Sequence, residues 1–170
     1  MKKAVFIIAQ KMFRDEEYKE PKDILENAGV KTQTAATKAG SAVGKFGMTT
    51  NVDLILQDVE PAEYDAVIFV GGPGSRQYFE DKEAHRIARE TISKNKILAS
   101  ICSSVGILAN AGVLKGKTVT SFSAETELIK SKGAIHTGKG LEQDGTLITA
   151  DGPAHATAFG EAILRAINQH

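Results

Sequence analysis

The chain has 170 residues, enough for one domain with a sizeable core. Lysine plus arginine equals aspartate plus glutamate at 21 each, so the charge balance points neither to nucleic acid nor to an acidic membrane surface as a partner. The single cysteine excludes an internal disulfide and any paired-cysteine zinc site, and no motif asks for a metal or another cofactor.

The start, Met1 to Ala9, has the outline of a signal peptide, but its apolar run is short. Gln10 and Lys11 follow directly, with no small-residue cleavage site, so it reads as a buried first strand and the setting as cytoplasmic. No run approaches the roughly 18 apolar residues of a membrane span. Ala4 to Ala9 is continuously apolar, the pattern of a strand covered on both faces of a parallel sheet. A polar segment runs from Gln10 to Glu20. Pro21 to Gly29 then reads as a helix with a glycine cap and an Ile24, Leu25, Ala28 stripe. Extended backwards at helical spacing, that stripe meets Pro21 and then Glu17. A helix that starts before Pro21 therefore turns Glu17 toward the core.

Val30 to Ala35 reads as the second strand. Lys38 to Gly47 is a glycine-rich loop or hairpin, without the lysine–hydroxyl ending or following helix of a phosphate loop. Val52 to Val59 alternates like an edge strand, and Pro61 opens a turn. Ala66 to Val70 is the clearest buried strand and ends in Gly71, Gly72, Pro73 and Gly74, where backbone can approach a ligand closely. Asp81 to Asn95 is an amphipathic helix. Gly116 to Thr120 is a short strand, Ala124 to Lys132 a helix closed by Gly133, and Gly152-Pro153 opens the last helix. Ala134 to Thr137 and Leu147 to Ala150 read as strands joined through a turn at Gln143 to Gly145. Strands and helices alternate throughout, so the expected fold is a single α/β domain over residues 1–170. Its five or six mostly parallel strands are too few for a barrel.

The stretch Lys96 to Gly112 carries the chemistry. Ile97 to Ile101 is a core strand, and Val105, Ile107, Leu108 and Ala111 have helical spacing up to Gly112. Cys102 lies at the junction, flanked two positions away by Ser100 and Ser104, small enough for a tight strand–nucleophile–helix turn. A helix start favours thiolate over thiol, whereas a lone cysteine in apolar surroundings more often acts as a small buried hydrophobe. In an open parallel sheet, ligands sit beyond the carboxyl ends of the strands. Cys102, Gly71 with Gly72, and Glu17 all follow such ends. Together they offer a nucleophile, amide donors from Gly72 and Ser103 for a developing oxyanion, and a carboxyl that can hold a proton.

Val67-Ile-Phe-Val-Gly-Gly72, Ala99-Ser-Ile-Cys102, Ala111 to Ser121, and Asp144 to Pro153 followed by Phe159 together resemble the ThiJ/PfpI family, within the class I glutamine-amidotransferase-like superfamily. Glu17 also matches the position of the family's carboxylate. The resemblance covers essentially the whole chain. It implies a flavodoxin-like three-layer α/β/α sandwich, a homodimer or higher homo-oligomer, Cys102 as nucleophile and Glu17 as its acid/base partner. Gly72 and Ser103 are then oxyanion donors, and Gly71, Arg76, Ser121 and His155 candidate substrate contacts. The chain departs from the family where its members carry histidine: Ser103 follows the cysteine, and Phe122 stands between Ser121 and Ser123. A cysteine peptidase or amidase is disfavoured for that reason. His85 and His170 read as solvated, and His136 and His155 as surface residues of which His155 has the better reach to Cys102. The resemblance implies a cysteine-dependent enzyme acting on small reactive carbonyls or on protein side chains they modify. The alternative is a non-enzymatic redox sensor or chaperone with an oxidisable cysteine.

Overall fold

The computed structural model describes residues 1–170. In chain order the elements are β1 (Lys3–Ile7), β2 (Lys11–Phe13), α1 (Asp15–Asn27), β3 (Lys31–Ala36), β4 (Gly40–Gly44), β5 (Thr49–Val52), β6 (Leu54–Ile55) and β7 (Ala66–Phe69). There follow α2 (Lys82–Ser93), β8 (Ile97–Ile101), α3 (Val105–Ala111), β9 (Thr118–Val119), α4 (Thr126–Ser131), β10 (Ile135–His136), β11 (Leu141–Asp144), β12 (Leu147–Ala150) and α5 (Ala156–Gln169). The main sheet has seven strands in the order β11-β12-β8-β7-β1-β3-β6, all parallel except for the antiparallel edge pair β11–β12. No helix is long and apolar enough to cross a membrane.

The continuous apolar strands are buried on both faces, as their composition requires. Ala4 and Phe6 of β1, Ile68 of β7, and Ala99 and Ile101 of β8 belong to the core that includes Tyr18 and Leu25 of α1 and Phe159 and Ile163 of α5. The alternate residues Val5, Ile7, Val67, Phe69 and Leu98 pack in the opposite core with Ile87 of α2, Ile107 of α3 and Ile129 of α4. Each strand thus feeds two helical layers at its period of two, which is the three-layer flavodoxin-like sandwich.

Three details differ from the sequence pattern. First, α1 starts at Asp15 and runs straight through Pro21. Tertiary packing sets this start: Pro21 is buried against α5 at Gly160, where an added Cβ would come within 2.8 Å of the Pro21 Cα. Second, Lys38 to Gly47 and the segment after it pair with Lys11–Phe13 in a separate small sheet, β2-β4-β5. Within Val52–Val59 only Leu54 and Ile55 join the main sheet, because the chain crosses between sheets at Asp53. That residue's amide bonds the Thr34 carbonyl, and its carboxylate accepts from the Thr34 amide, both at 2.8 Å. Third, the partner of β12 across the Gly145 turn is β11, immediately before the turn, while Ile135–His136 pairs in parallel with β9. The main sheet is correspondingly wider than five or six strands.

The α1–α5 crossing fixes the helix that carries Glu17. Gly160→Leu drives a side chain into Pro21 and Ile24 and should destabilise the protein by about 1–3 kcal/mol, the usual cost of overpacking. A lowered urea midpoint at unchanged slope is the expected reading.

Candidate functional site

The strand order reverses at β1. From there the chain proceeds outward through β3 and β6, then returns to the other side of β1 with β7 and continues to β8 and β12. The carboxyl ends of β1, β7 and β8 are therefore neighbours at the switch point, where such sheets bind ligands. Their following segments deliver Glu17, Gly71 with Gly72, and Cys102 to one place.

Cys102 is the elbow. Its φ is +63°, a left-handed conformation that side chains other than glycine seldom adopt and that costs of order 1–3 kcal/mol. The strain is held by serines on either side. The Ser104 hydroxyl accepts from the Ile101 amide at 3.1 Å, and its proton lies between the Ile101 and Phe69 carbonyls at 2.7 and 3.0 Å. The Ser100 hydroxyl lies 2.7 Å from the Ser104 Oγ. Downstream, the Phe122 amide donates to the Cys102 carbonyl at 3.2 Å. The sulfur meets the Gly72 and Ser103 amides, and the Ser103 hydroxyl lies 3.7 Å away.

Glu17 reaches the site from below. It is fully buried on the α1 face that also buries Tyr18, Pro21 and Leu25. Gly71 forms the roof over the pair: a Cβ there would stand 2.5 Å from Glu17 Oε1 and 2.6 Å from the Cys102 Cβ. Gly72 has φ +104°, and a Cβ on it would meet the Arg14 amide nitrogen at 2.5 Å, so both positions require glycine. The Gly71 carbonyl accepts from the Arg14 amide at 2.9 Å, tying the loop to the start of α1.

Burial raises the Glu17 carboxyl to about 7. The Cys102 thiol, the Arg14 charge and the Gly71 amide pull it down, but neither carboxyl oxygen makes a well-aligned hydrogen bond. Burial also pushes the Cys102 thiol up to about 11, with a further push from an ionised Glu17. The Ser103 hydroxyl and the Ser103 and Gly72 amides oppose this. Desolvation thus outweighs the start of the helix, which on its own would favour thiolate. Both groups move in the same direction for a shared reason: the enclosure resists two negative charges. The two groups titrate as a pair that retains one proton through the neutral range.

A cavity of about 180 Å³ opens onto the sulfur, lined by Arg14, Lys45, Gly72, Pro73, Arg76, Cys102, Ser103, Phe122 and Pro153. Of the contacts expected from sequence, Arg76 lines it, but as half of an ion pair: its Nη2 lies 2.8 Å from an oxygen of the buried Glu125. Ser121 and His155 do not line it. The Ser121 hydroxyl is turned to His136 Nε2 at 2.9 Å and the Phe122 carbonyl at 2.8 Å, in a separate cavity of about 500 Å³. His155 is held by Asp151, Nδ1 to Oδ1 at 2.7 Å. His85 and His170 bond the Phe79 and Asn95 carbonyls, so no histidine lines the Cys102 cavity. No cluster of three or more His, Cys, Asp or Glu side chains is arranged to hold a metal ion. Arg14 and Lys45 are the residues the sequence concealed. Both lie in segments without periodic pattern, and they arrive at the cavity only through the small sheet and its turn.

Known proteins resemble this chain in sequence and in fold. The DJ-1/PfpI family matches residues 2–166. The chain belongs to the DJ-1/PfpI family. A deglycase of Pyrococcus abyssi is 32% identical over 155 residues, covering 91% of this chain and 93% of its own. An uncharacterised protein of Methanocaldococcus jannaschii is 39% identical over 171 residues, covering 99% of this chain and 83% of its own. Among solved structures, a ThiJ/PfpI domain protein of Brachyspira murdochii has a TM-score of 0.97 at 35% identity, over 99% of this chain and 97% of its own. DJ-1β of Drosophila melanogaster has a TM-score of 0.87 at 26% identity, over 99% and 94%. The expected fold and family are those found.

The proton held by the pair makes stability depend on pH. Unfolded, Glu17 ionises near 4.5, whereas in the folded enclosure the first of the pair's two protons is held to about 7. The folded state is therefore favoured below pH 4.5 and loses ground as pH rises to about 7, by up to about 3 kcal/mol. Urea titrations of wild type and Glu17→Gln across pH 4.5–7.5 should differ by this slope, with the variant flatter.

Proposed function

We propose that the protein is a cysteine-dependent enzyme acting on small reactive carbonyls or on the adducts they form with protein side chains, in the manner of a deglycase or glyoxalase. The observation that carries this reading is the pairing of the strained Cys102 elbow with the buried, proton-holding Glu17 beneath Gly71. The name of the Pyrococcus abyssi relative supports it, as does that of a second deglycase, from Pyrococcus furiosus, 30% identical over 157 residues. The cavity of about 180 Å³ suits a molecule of a few carbons or the tip of a modified side chain, and is smaller than the sites that enclose drug-sized ligands.

In this reading the pair's proton rests on Glu17 and the charge on sulfur. The Gly72 and Ser103 amides favour charge on the sulfur as the Gly71 amide favours it on Glu17; the proton is assigned to Glu17 because addition to a carbonyl needs the thiolate as nucleophile. The thiolate adds to the carbonyl carbon of a 2-oxoaldehyde. A C–S bond forms, and the carbonyl π pair moves to oxygen beside the two amides and takes up a proton. Glu17 then relays a proton between the two adjacent carbons, which converts the hemithioacetal to a thioester. One water hydrolyses the thioester and frees the thiol. Methylglyoxal plus water becomes lactic acid, with oxidation at one carbon balanced by reduction at the next and no outside oxidant. Amide cleavage finds no support, since no histidine lines the cavity to activate the thiol or protonate an amine leaving group.

Methylglyoxal consumption and lactate formation test the reading. Cys102→Ala should abolish turnover, and Glu17→Gln should slow it by roughly 10²–10⁴-fold, the range for loss of a general acid–base. Equal rates in wild type and Cys102→Ala would overturn it.

A further inference from the structure

The chain has no net charge, yet the walls of the Cys102 cavity carry three cations, Arg14, Lys45 and Arg76, and no carboxylate. Two of the three are braced by acids outside the lining. Arg14 pairs with Glu16 through Nε and Nη2, and Arg76 pairs with Glu125 through Nη2, so Nη1 of each guanidinium stays free. Lys45 is in no ion pair, and its ammonium lies 5.5 Å from the Phe46 ring centre.

The position of Lys45 is built into the fold. The Asp15 carboxylate accepts from the Phe46 and Met48 amides at 3.0 and 2.9 Å, clamping the β4–β5 turn to the first turn of α1. The Lys45 amide donates to the Phe13 carbonyl at 2.8 Å. Gly44 leaves no space between the turn and Asp15: a Cβ there would stand 2.5 Å from the carboxylate. The small β2-β4-β5 sheet thus holds a cation at the mouth of the Cys102 cavity.

We propose that this cavity selects anionic substrates: the carbonyl compound or adduct that reaches Cys102 carries a carboxylate, bound by Lys45 and the free edges of Arg76 and Arg14. Lys45 is the specificity-determining residue, because it alone has no carboxylate partner of its own. This deepens the carbonyl-enzyme reading and rests on it for the reaction, but not for the charge selection.

Two alkylating agents that differ in charge at nearly the same size separate these points. Iodoacetate and iodoacetamide both transfer a two-carbon unit to the thiolate, forming a C–S bond and expelling iodide. Their rates at Cys102 in the intact protein are each divided by the rate at N-acetylcysteine amide at the same pH. The normalised ratio should favour iodoacetate by about tenfold at low salt, the scale of a unit charge met at the protein surface, and fall as ionic strength rises. In Lys45→Gln the ratio should drop severalfold. A normalised ratio of one or below would overturn the proposal. So would equal slowing of both reagents in Lys45→Gln, since the cations would then serve only the thiolate, and so would failure of both reagents to modify Cys102. With substrates, methylglyoxal hemithioacetals of N-acetylcysteine and of its amide, compared at matched free methylglyoxal, should show the same preference through KM. Iodoacetate preference without any turnover removes the enzymatic reading and keeps the anion site; turnover without preference removes the anion site alone.

Discussion

Everything at this site depends on the contact of Glu17 with Cys102 under a residue that has no side chain. Gly71 lies so close to both that a single methyl group would collide with the carboxyl and the cysteine at once. The closeness excludes water from the pair, and exclusion of water raises both pKa values. An enclosure that tolerates one negative charge but resists two makes the pair behave as one proton-carrying unit. The strained φ of Cys102 and the serine bonds around it serve the same end, since they hold the sulfur against the carboxyl and the two amides.

The sheet makes this contact without any local motif spanning it. Glu17 and Cys102 are far apart in sequence, and only the reversal of strand order at β1 brings the ends of β1, β7 and β8 together. The α1–α5 packing at Gly160 then sets the height of Glu17, and the tie from the Arg14 amide to the Gly71 carbonyl closes the roof. The small sheet contributes charge: its turn sets Lys45 at the mouth, while Cys102 follows β8 of the large sheet and Glu17 lies on α1.

The parts of this arrangement that were legible in sequence are those written in short-range pattern. Continuous apolar runs marked β1, β7 and β8, and the serines around Cys102 marked the elbow. The helical stripe through Leu25 and Pro21 pointed back to Glu17, even though proline argued for a later helix start. The illegible parts are those decided by long-range pairing. The glycine-rich stretch after Lys38 shows no clean alternation, because its strands are short and half exposed, so β4, β5 and the placing of Lys45 leave no local trace. Arg76 was visible, but its ion pair with Glu125 spans 49 residues. Ser121 and His155 follow strand ends as site residues would. Their partners, His136 and Asp151, turn them away from the sulfur.

The proposed carbonyl chemistry needs the pair's proton on Glu17 and its charge on Cys102. The pH dependence of Cys102 alkylation by iodoacetamide tests it most directly. With the proton on Glu17, the charge left when the pair gives up its first proton lies on sulfur, and the alkylation rate should show a thiolate inflection in the neutral range. A rate that shows no inflection below pH 9 and keeps climbing toward about 11 would place the retained proton on sulfur and rule out a resting thiolate.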